Sequence, residues 1–154
     1  MPESIEELRD LKDNLKKTVD ELLGLRNRLA EYDSEFISKF DDLELDTNRL
    51  AYLQGEKKEL LIKKMLFDIE QFKQRIAGVV EGLDAFLTRH EKEFGGMSGV
   101  LVRTKEMCPV DLGYTLTTLE EVYREHLDIF IGMKRIYEKY ISTLTDKAKL
   151  VKGD

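Results

Sequence analysis

Two histidines and a single cysteine are the side chains of this chain best suited to metal binding or nucleophilic chemistry. His90 and His126 fall on the apolar faces of two predicted helices, where helical bundles place metal ligands. In an antiparallel pair of these helices the two rings would lie about 10 Å apart along the axis, too far to share one ion. Leu87 and Tyr123 occupy the glutamate positions of the Glu-x-x-His pairing that di-iron bundles use. We therefore expect structural histidines and no bound metal.

One acidic run has the spacing of the first ligands of an EF-hand calcium loop, with Asp42, Glu44, Asp46 and Asn48 at alternate positions. The twelfth position holds Leu53 instead of a bidentate glutamate, and the sixth position is not glycine. We therefore do not expect calcium binding. No phosphate-binding loop or Ser, His and Asp constellation can be assembled either, so we predict no cofactor and no enzymatic activity.

The cysteine belongs to a segment, residues 95–114, that we predict to be one long loop. Gly95 and Gly96 are typical of a helix end, and residues 100–102 could form a short strand. Connections in bundles usually need about 2–8 residues, and longer ones often carry function. We therefore predict that this loop contacts a partner. The candidate contact residues are Val100, Leu101, Val102, Arg103, Met107 and Cys108.

The thiol of Cys108 is open to several interpretations. We interpret it as a buried or bystander thiol, with a redox or intermolecular disulfide role, or a metal-binding or nucleophilic role, as alternatives. A lone cysteine excludes an internal disulfide and fits a reducing compartment. The first 25 residues do not have the pattern of a signal peptide, and no run of about 18 apolar residues is present. We therefore predict a cytoplasmic protein without a membrane span.

Apolar residues at seven-residue intervals predict the first helix. They are Leu8, Leu15, Leu22, Leu29, Phe36, Leu43 and Leu50. Such a repeat is typical of a coiled-coil seam, which needs a facing helix from the same chain or from another copy. Turn-prone residues such as Asp33, Ser34 and Asp41 predict a break or kink between residues 31 and 46.

Two further helical runs follow. The second has apolar residues at alternating spacings of three and four from Met65 to Phe94, and the third shows the same spacing between about Thr115 and Leu150. A charged fraction of 36% beside 42% hydrophobic residues is typical of such helices. We predict one all-α domain, residues 1–154, built as an elongated antiparallel bundle or coiled coil of three, possibly four, helices with one long loop at 95–114.

Glycines within the helical runs need an explanation, because each costs about 1 kcal/mol relative to alanine. In an antiparallel pair of the second and third runs, Gly78 would lie opposite Gly132, with Gly82 nearby. We therefore predict that Gly78, Gly82 and Gly132 allow close helix packing. Tolerated glycines, or room for a bulky side chain of the first run, are the alternatives.

Charge is distributed unevenly along the chain. Residues 1–46 hold 14 acidic and 7 basic side chains, whereas the C-terminal stretch is basic. Its basic residues are Lys134, Arg135, Lys139, Lys147, Lys149 and Lys152. Nucleic-acid binding needs a denser basic surface, so we favour protein partners.

The function that these patterns favour is that of a non-enzymatic helical protein acting through self-assembly, as a dimer or higher oligomer, or through another protein partner. The seam of the first run supports this, because the third run is too short to cover all of it. The alternatives are a nucleic-acid-associated accessory subunit that uses the basic C-terminal stretch, and a ligand-binding or metal-binding bundle.

Overall fold

The computed structural model describes residues 5–104 and 110–153, which form three helices and the short segments that adjoin them. Helix α1 spans Ile5–Leu50, α2 spans Gly55–Thr104 and α3 spans Val110–Lys152. The helices pack against one another, and the described residues contain no strand. The prediction of an all-α helical bundle is therefore confirmed, with three helices rather than four. No helix in the described ranges has a segment both long and apolar enough to cross a membrane.

Helix α1 is continuous, so the predicted break between residues 31 and 46 is wrong, and the alternative of a kink stays a prediction. The turn-prone acidic residues of this region have partners on other helices. Asp33 accepts a hydrogen bond from the Tyr137 hydroxyl, and Asp46 pairs with Lys64 of α2. Phe36 and Leu43 are buried and continue the seven-residue repeat. Tertiary contacts therefore outweigh the local turn preference of the aspartates.

A tight connection joins α1 to α2. The backbone amides of Tyr52 and Leu53 donate to the carbonyls of Arg49 and Leu50, which satisfies the last carbonyl groups of α1. Gly55 begins α2 with a φ of 64°, a left-handed conformation that strains every residue with a side chain. The glycine therefore allows the chain to reverse direction here.

The predicted loop at residues 95–114 is wrong in its extent. Helix α2 continues through Gly95 and Gly96 to Thr104, and α3 begins at Val110. The strand predicted for residues 100–102 is helical instead. Glycine makes helix formation about 1 kcal/mol less favourable than alanine does, which is not enough for Gly95 and Gly96 to end the helix. Pro109 precedes α3 in the sequence, and proline is favoured at a helix start.

The chain divides into two compact units, each built from parts of all three helices. Unit 1 comprises Met1–Arg28 and Asp84–Gly132. Unit 2 comprises Leu29–Leu83 and Met133–Asp154. The single domain expected from the chain length stays a prediction.

Unit 2 has an aromatic core. Phe36 of α1 packs against Phe72 of α2 and Tyr137 of α3, with ring centroids 5.7 Å and 5.3 Å apart. Phe40 packs against Phe72 and against Tyr140 of α3. Phe36 meets Tyr137 and Phe40 meets Tyr140, so α1 and α3 run parallel. Glu35 of α1 pairs with Arg75 and Asp46 pairs with Lys64, so α2 runs antiparallel to both. The predicted antiparallel arrangement is confirmed within this unit.

Unit 1 contains a core in which polar and apolar side chains are mixed. Leu15 and Leu22 of α1 are buried, as is Leu116 of α3. The rings of Phe86 and Phe130 meet edge to face with centroids 6.1 Å apart. Both histidines of the chain are buried in this unit.

Candidate protein-binding surface

The residues predicted to contact a partner lie at the end of α2 and beyond it. Val100, Leu101, Val102 and Arg103 belong to the last turns of α2, so they are not on a loop. Met107 and Cys108 lie outside the described residues. The predicted contact role of all six stays a prediction, whereas the loop on which it was based is replaced by helix over most of its length.

The glycines predicted to sit at a close helix contact do not do so within this chain. A Cβ atom built on Gly78, Gly82 or Gly132 meets no heavy atom within 4 Å. Gly78 and Gly82 are exposed, and Gly132 is half-buried. Close packing of α2 against α3 at these positions is therefore wrong. Helix α2 is rotated about its axis so that its buried residues face the core and its glycines Gly78 and Gly82 are exposed.

Both histidines of unit 1 contact arginine side chains. The Nη2 atom of Arg89 lies 2.9 Å from Nε2 of His90, and Nη1 of Arg26 lies 3.5 Å from Nε2 of His126. Because arginine can only donate, each of these contacts is a hydrogen bond when the histidine Nε2 carries no proton. Nε2 of His90 also lies 3.7 Å from a carboxylate oxygen of Glu21. Nδ1 of His126 donates to the carbonyl oxygen of Val122 at 2.8 Å.

These contacts fit the structural role predicted for the histidines. The hydroxyl of Tyr123 donates to the backbone carbonyl of His90 at 2.7 Å, which ties α3 to α2. Among the described residues, no group of three or more His, Cys, Asp or Glu side chains could hold a metal ion.

In unit 2, a groove of about 610 Å³ lies beside the buried carboxylate of Asp46. Lys64 and Arg49 lie 2.9 Å and 3.3 Å from the two oxygens of this carboxylate. Lys64 also pairs with Asp68 at 3.0 Å. These hydrogen bonds, the one to Asp46 first, raise the pKa of the Lys64 ammonium. The groove lining has three basic and three acidic side chains, so it carries no net charge that would select a charged ligand.

A second polar contact of unit 2 is more deeply buried. The hydroxyl of Tyr137 donates to the Asp33 carboxylate at 2.6 Å, and the Tyr137 side chain is fully buried. Burial, and then the hydrogen bond to Asp33, raise the pKa of the Tyr137 phenol. This contact joins α3 to α1 and holds the phenol in its neutral form.

Large apolar side chains are exposed on all three helices of unit 2. Leu45 is exposed on α1, Leu60 and Phe67 on α2, and Leu150 on α3. Phe67 is the largest of these side chains and is 64% exposed. Leu60 and Phe67 are seven residues apart, so they lie two turns apart on one face of α2.

The residues on the exposed face of α2 around Phe67 are regularly spaced along the sequence. We call it the α2 stripe, and it consists of Lys64, Phe67, Gln71, Gln74, Gly78 and Glu81, all of them exposed. Their spacing alternates between three and four residues, which is the spacing of a helix face that packs against another helix. The α2 stripe thus has the periodicity of a packing face and is not covered by this chain.

The α2 stripe can be recognised only once the buried face of α2 is known, although its spacing is present in the sequence. Residues 65, 69, 72 and 76 form the buried face of α2, and the stripe repeats the same spacing on the other side of the helix. A comparison of the chain with protein-family models, curated proteins and solved structures finds no match to any of them.

Proposed function

We propose that this protein is a non-enzymatic helical bundle that acts by binding proteins, either further copies of itself or a different protein. The observation that carries the proposal is the exposure of Leu45, Leu60, Phe67 and Leu150 on unit 2. Single exposed apolar side chains are ordinary, but apolar side chains bordered by charged ones are typical of protein interaction sites. Lys63, Lys64 and Glu70 border Phe67 on α2.

The proposed contact surface differs from the one predicted from the sequence. Residues 100–103 are helical, so the argument from a long loop no longer supports them. Phe67 is a stronger candidate because a partner that covers an aromatic side chain removes a large apolar surface from water. We therefore propose that the exposed apolar residues of unit 2, with Phe67 of α2 foremost, form the contact surface.

We further propose that the protein acts in the cytoplasm. The single cysteine supports this, because proteins of oxidising compartments usually carry paired cysteines.

The proposal is tested with a variant that carries Leu45→Gln, Phe67→Gln and Leu150→Gln. Glutamine retains helix propensity, and all three sites are exposed, so the variant should retain its helicity by circular dichroism. Light scattering between about 1 and 100 µM, a range in which micromolar complexes form, should show association of the wild type that the variant lacks. If the wild type is monomeric, a purified partner recovered with it should bind the wild type and not the variant.

A monomeric wild type that binds no protein more tightly than the variant does would overturn the proposal. A variant that associates as strongly as the wild type would also overturn it, because the exposed apolar side chains would then not be the contact surface.

A further inference from the structure

We propose that two copies of this chain pair through the α2 stripe, with the two α2 helices antiparallel. This inference rests on the proposed function and names its partner and its surface.

The α2 stripe lies on the exposed side of α2, and its first residue, Lys64, also contacts Asp46 of α1. Met65, Ile69, Phe72 and Ile76 are all buried and form the opposite face of the same helix. The stripe alternates with them along the sequence, and each of its members is exposed. Residues 64–81 cover about five helical turns, roughly 26 Å of continuous surface.

The order of side chains along the stripe is self-complementary when two copies run antiparallel. Lys64 of one copy then faces Glu81 of the other, and Phe67 faces Gly78. Gln71 faces Gln74, and the same three pairs recur on the other side of a two-fold axis. Each pair joins opposite charges, a large side chain with a small one, or two amides that can exchange hydrogen bonds.

The pair formed by Phe67 and Gly78 provides shape complementarity. Phe67 is 64% exposed, so its ring offers apolar surface that a second copy can cover. Gly78 is exposed, and a Cβ atom built on it meets nothing within 4 Å of its own chain. A glycine on an exposed helix face destabilises that helix, so it needs a reason elsewhere. The bare backbone at Gly78 would accept the Phe67 ring of a second copy as a knob enters a hole.

Charge complementarity favours a second copy of the chain as the partner and an antiparallel orientation of the two α2 helices. A parallel pair in register would place Lys64 against Lys64, Glu81 against Glu81 and Phe67 against Phe67, and like charges would repel. The antiparallel pair places each lysine against a glutamate. Lys64 already contacts Asp46 and Asp68 but retains about half of its side-chain exposure, so it can also meet Glu81 of a second copy.

The test is an exchange of the large and the small side chain. Phe67→Ala removes the knob and Gly78→Phe fills the hole, so each substitution alone should weaken dimerisation by about 100-fold or more in sedimentation equilibrium. The double variant Phe67→Ala with Gly78→Phe recreates one large and one small residue in each pair and should recover most of the wild-type affinity. Ile37→Ala alters an exposed apolar side chain of α1, outside the stripe and not among the proposed contact residues, and should leave the affinity unchanged.

Both positions are exposed, and a Cβ atom at Gly78 meets no heavy atom within 4 Å, so we expect all variants to fold. Thermal melts of all four variants provide the check on folding. If Gly78→Phe strengthens association, or if the double variant is as weak as the weaker single variant, the register is wrong and the inference fails.

The outcomes separate this inference from the proposed function. A monomeric wild type that binds a different protein through its exposed apolar residues would overturn the self-pairing and leave the proposed function intact. A wild type that binds neither itself nor another protein would overturn both.

Discussion

Replacing Gly78 with alanine should stabilise the monomer, and the structure fixes the size of the effect. A Cβ atom at this position meets nothing within 4 Å, so the substitution adds no clash and removes no packing. What remains is the difference in helix propensity between glycine and alanine, about 0.8–1.0 kcal/mol in a helix interior. For a chain of this size, that gain corresponds to a rise in melting temperature of roughly 2–4 °C.

A matched substitution at Gly55 should have the opposite sign. A Cβ atom at Gly55 also meets nothing within 4 Å, but its φ of 64° is one that alanine adopts only with strain. Gly55→Ala should therefore destabilise the monomer by about 1–2 kcal/mol. The two variants share the same chemical change and the same open surroundings, so the backbone conformation alone decides the difference between them.

The assay is urea unfolding followed by circular dichroism, at a protein concentration low enough for the wild type to be monomeric. The free energy of unfolding should rise for Gly78→Ala and fall for Gly55→Ala, with similar slopes against urea. A loss of stability in Gly78→Ala would refute the reasoning, because it would mean that the space beside Gly78 is filled in the monomer.

Three further predictions concern buried polar contacts. Tyr137→Phe removes the hydrogen bond to the half-buried Asp33 carboxylate and should lower the free energy of urea unfolding by about 1–2 kcal/mol, whereas Tyr140→Phe should change it little. Because the pKa of Tyr137 is raised in the folded state, its contribution to stability is fully present below the ordinary tyrosine pKa of 10.0 and is lost as the pH rises above it. The free energy of unfolding should therefore fall more steeply above pH 10 for the wild type than for Tyr137→Phe. Equal slopes of this free energy against pH would contradict a raised pKa of Tyr137. The ring of His126 should carry its proton on Nδ1, as its 2.8 Å contact with the Val122 carbonyl requires, and nitrogen NMR shifts showing a proton on Nε2 would disprove this.

The helices and their buried faces could be predicted from the sequence because both depend on periodicity. Leu15, Leu22, Leu29, Phe36 and Leu43 recur every seventh residue, and all five are buried. Apolar side chains at this spacing lie on one face whatever their neighbours are. The same reasoning identified the buried positions of α2 and α3, which carry His90 and His126.

The helix ends were predicted less well because they depend on contacts outside the local sequence. Aspartate is common in turns, but Asp33 binds the Tyr137 hydroxyl and Asp46 binds the Lys64 ammonium, and the helix continues through both. Gly95 and Gly96 have the composition of a helix end, yet α2 passes through them. In both places local preference of about 1 kcal/mol per residue is too weak to decide the outcome.

The candidate surface required knowledge of how α2 is rotated in the bundle. The sequence pattern predicts that Gly78 and Gly82 pack against α3, whereas both are exposed in the structure. Phe67 was missed because an exposed phenylalanine cannot be distinguished from a buried one until the buried face is known. Once that face is known, the regular spacing of the α2 stripe can be read directly from the sequence.

Intersubunit distances between spin labels would test the antiparallel α2 dimer most directly. Labels are attached to cysteines introduced at Glu70 or at Glu56, both exposed and both outside the stripe, with Cys108 replaced by serine. In the proposed register the two copies of residue 70 lie within about 20 Å of each other, and the two copies of residue 56 are about 50 Å apart. Short distances at both positions would show a parallel pair, and the absence of dipolar coupling at residue 70 at high protein concentration would show that the α2 stripe does not bring two copies together.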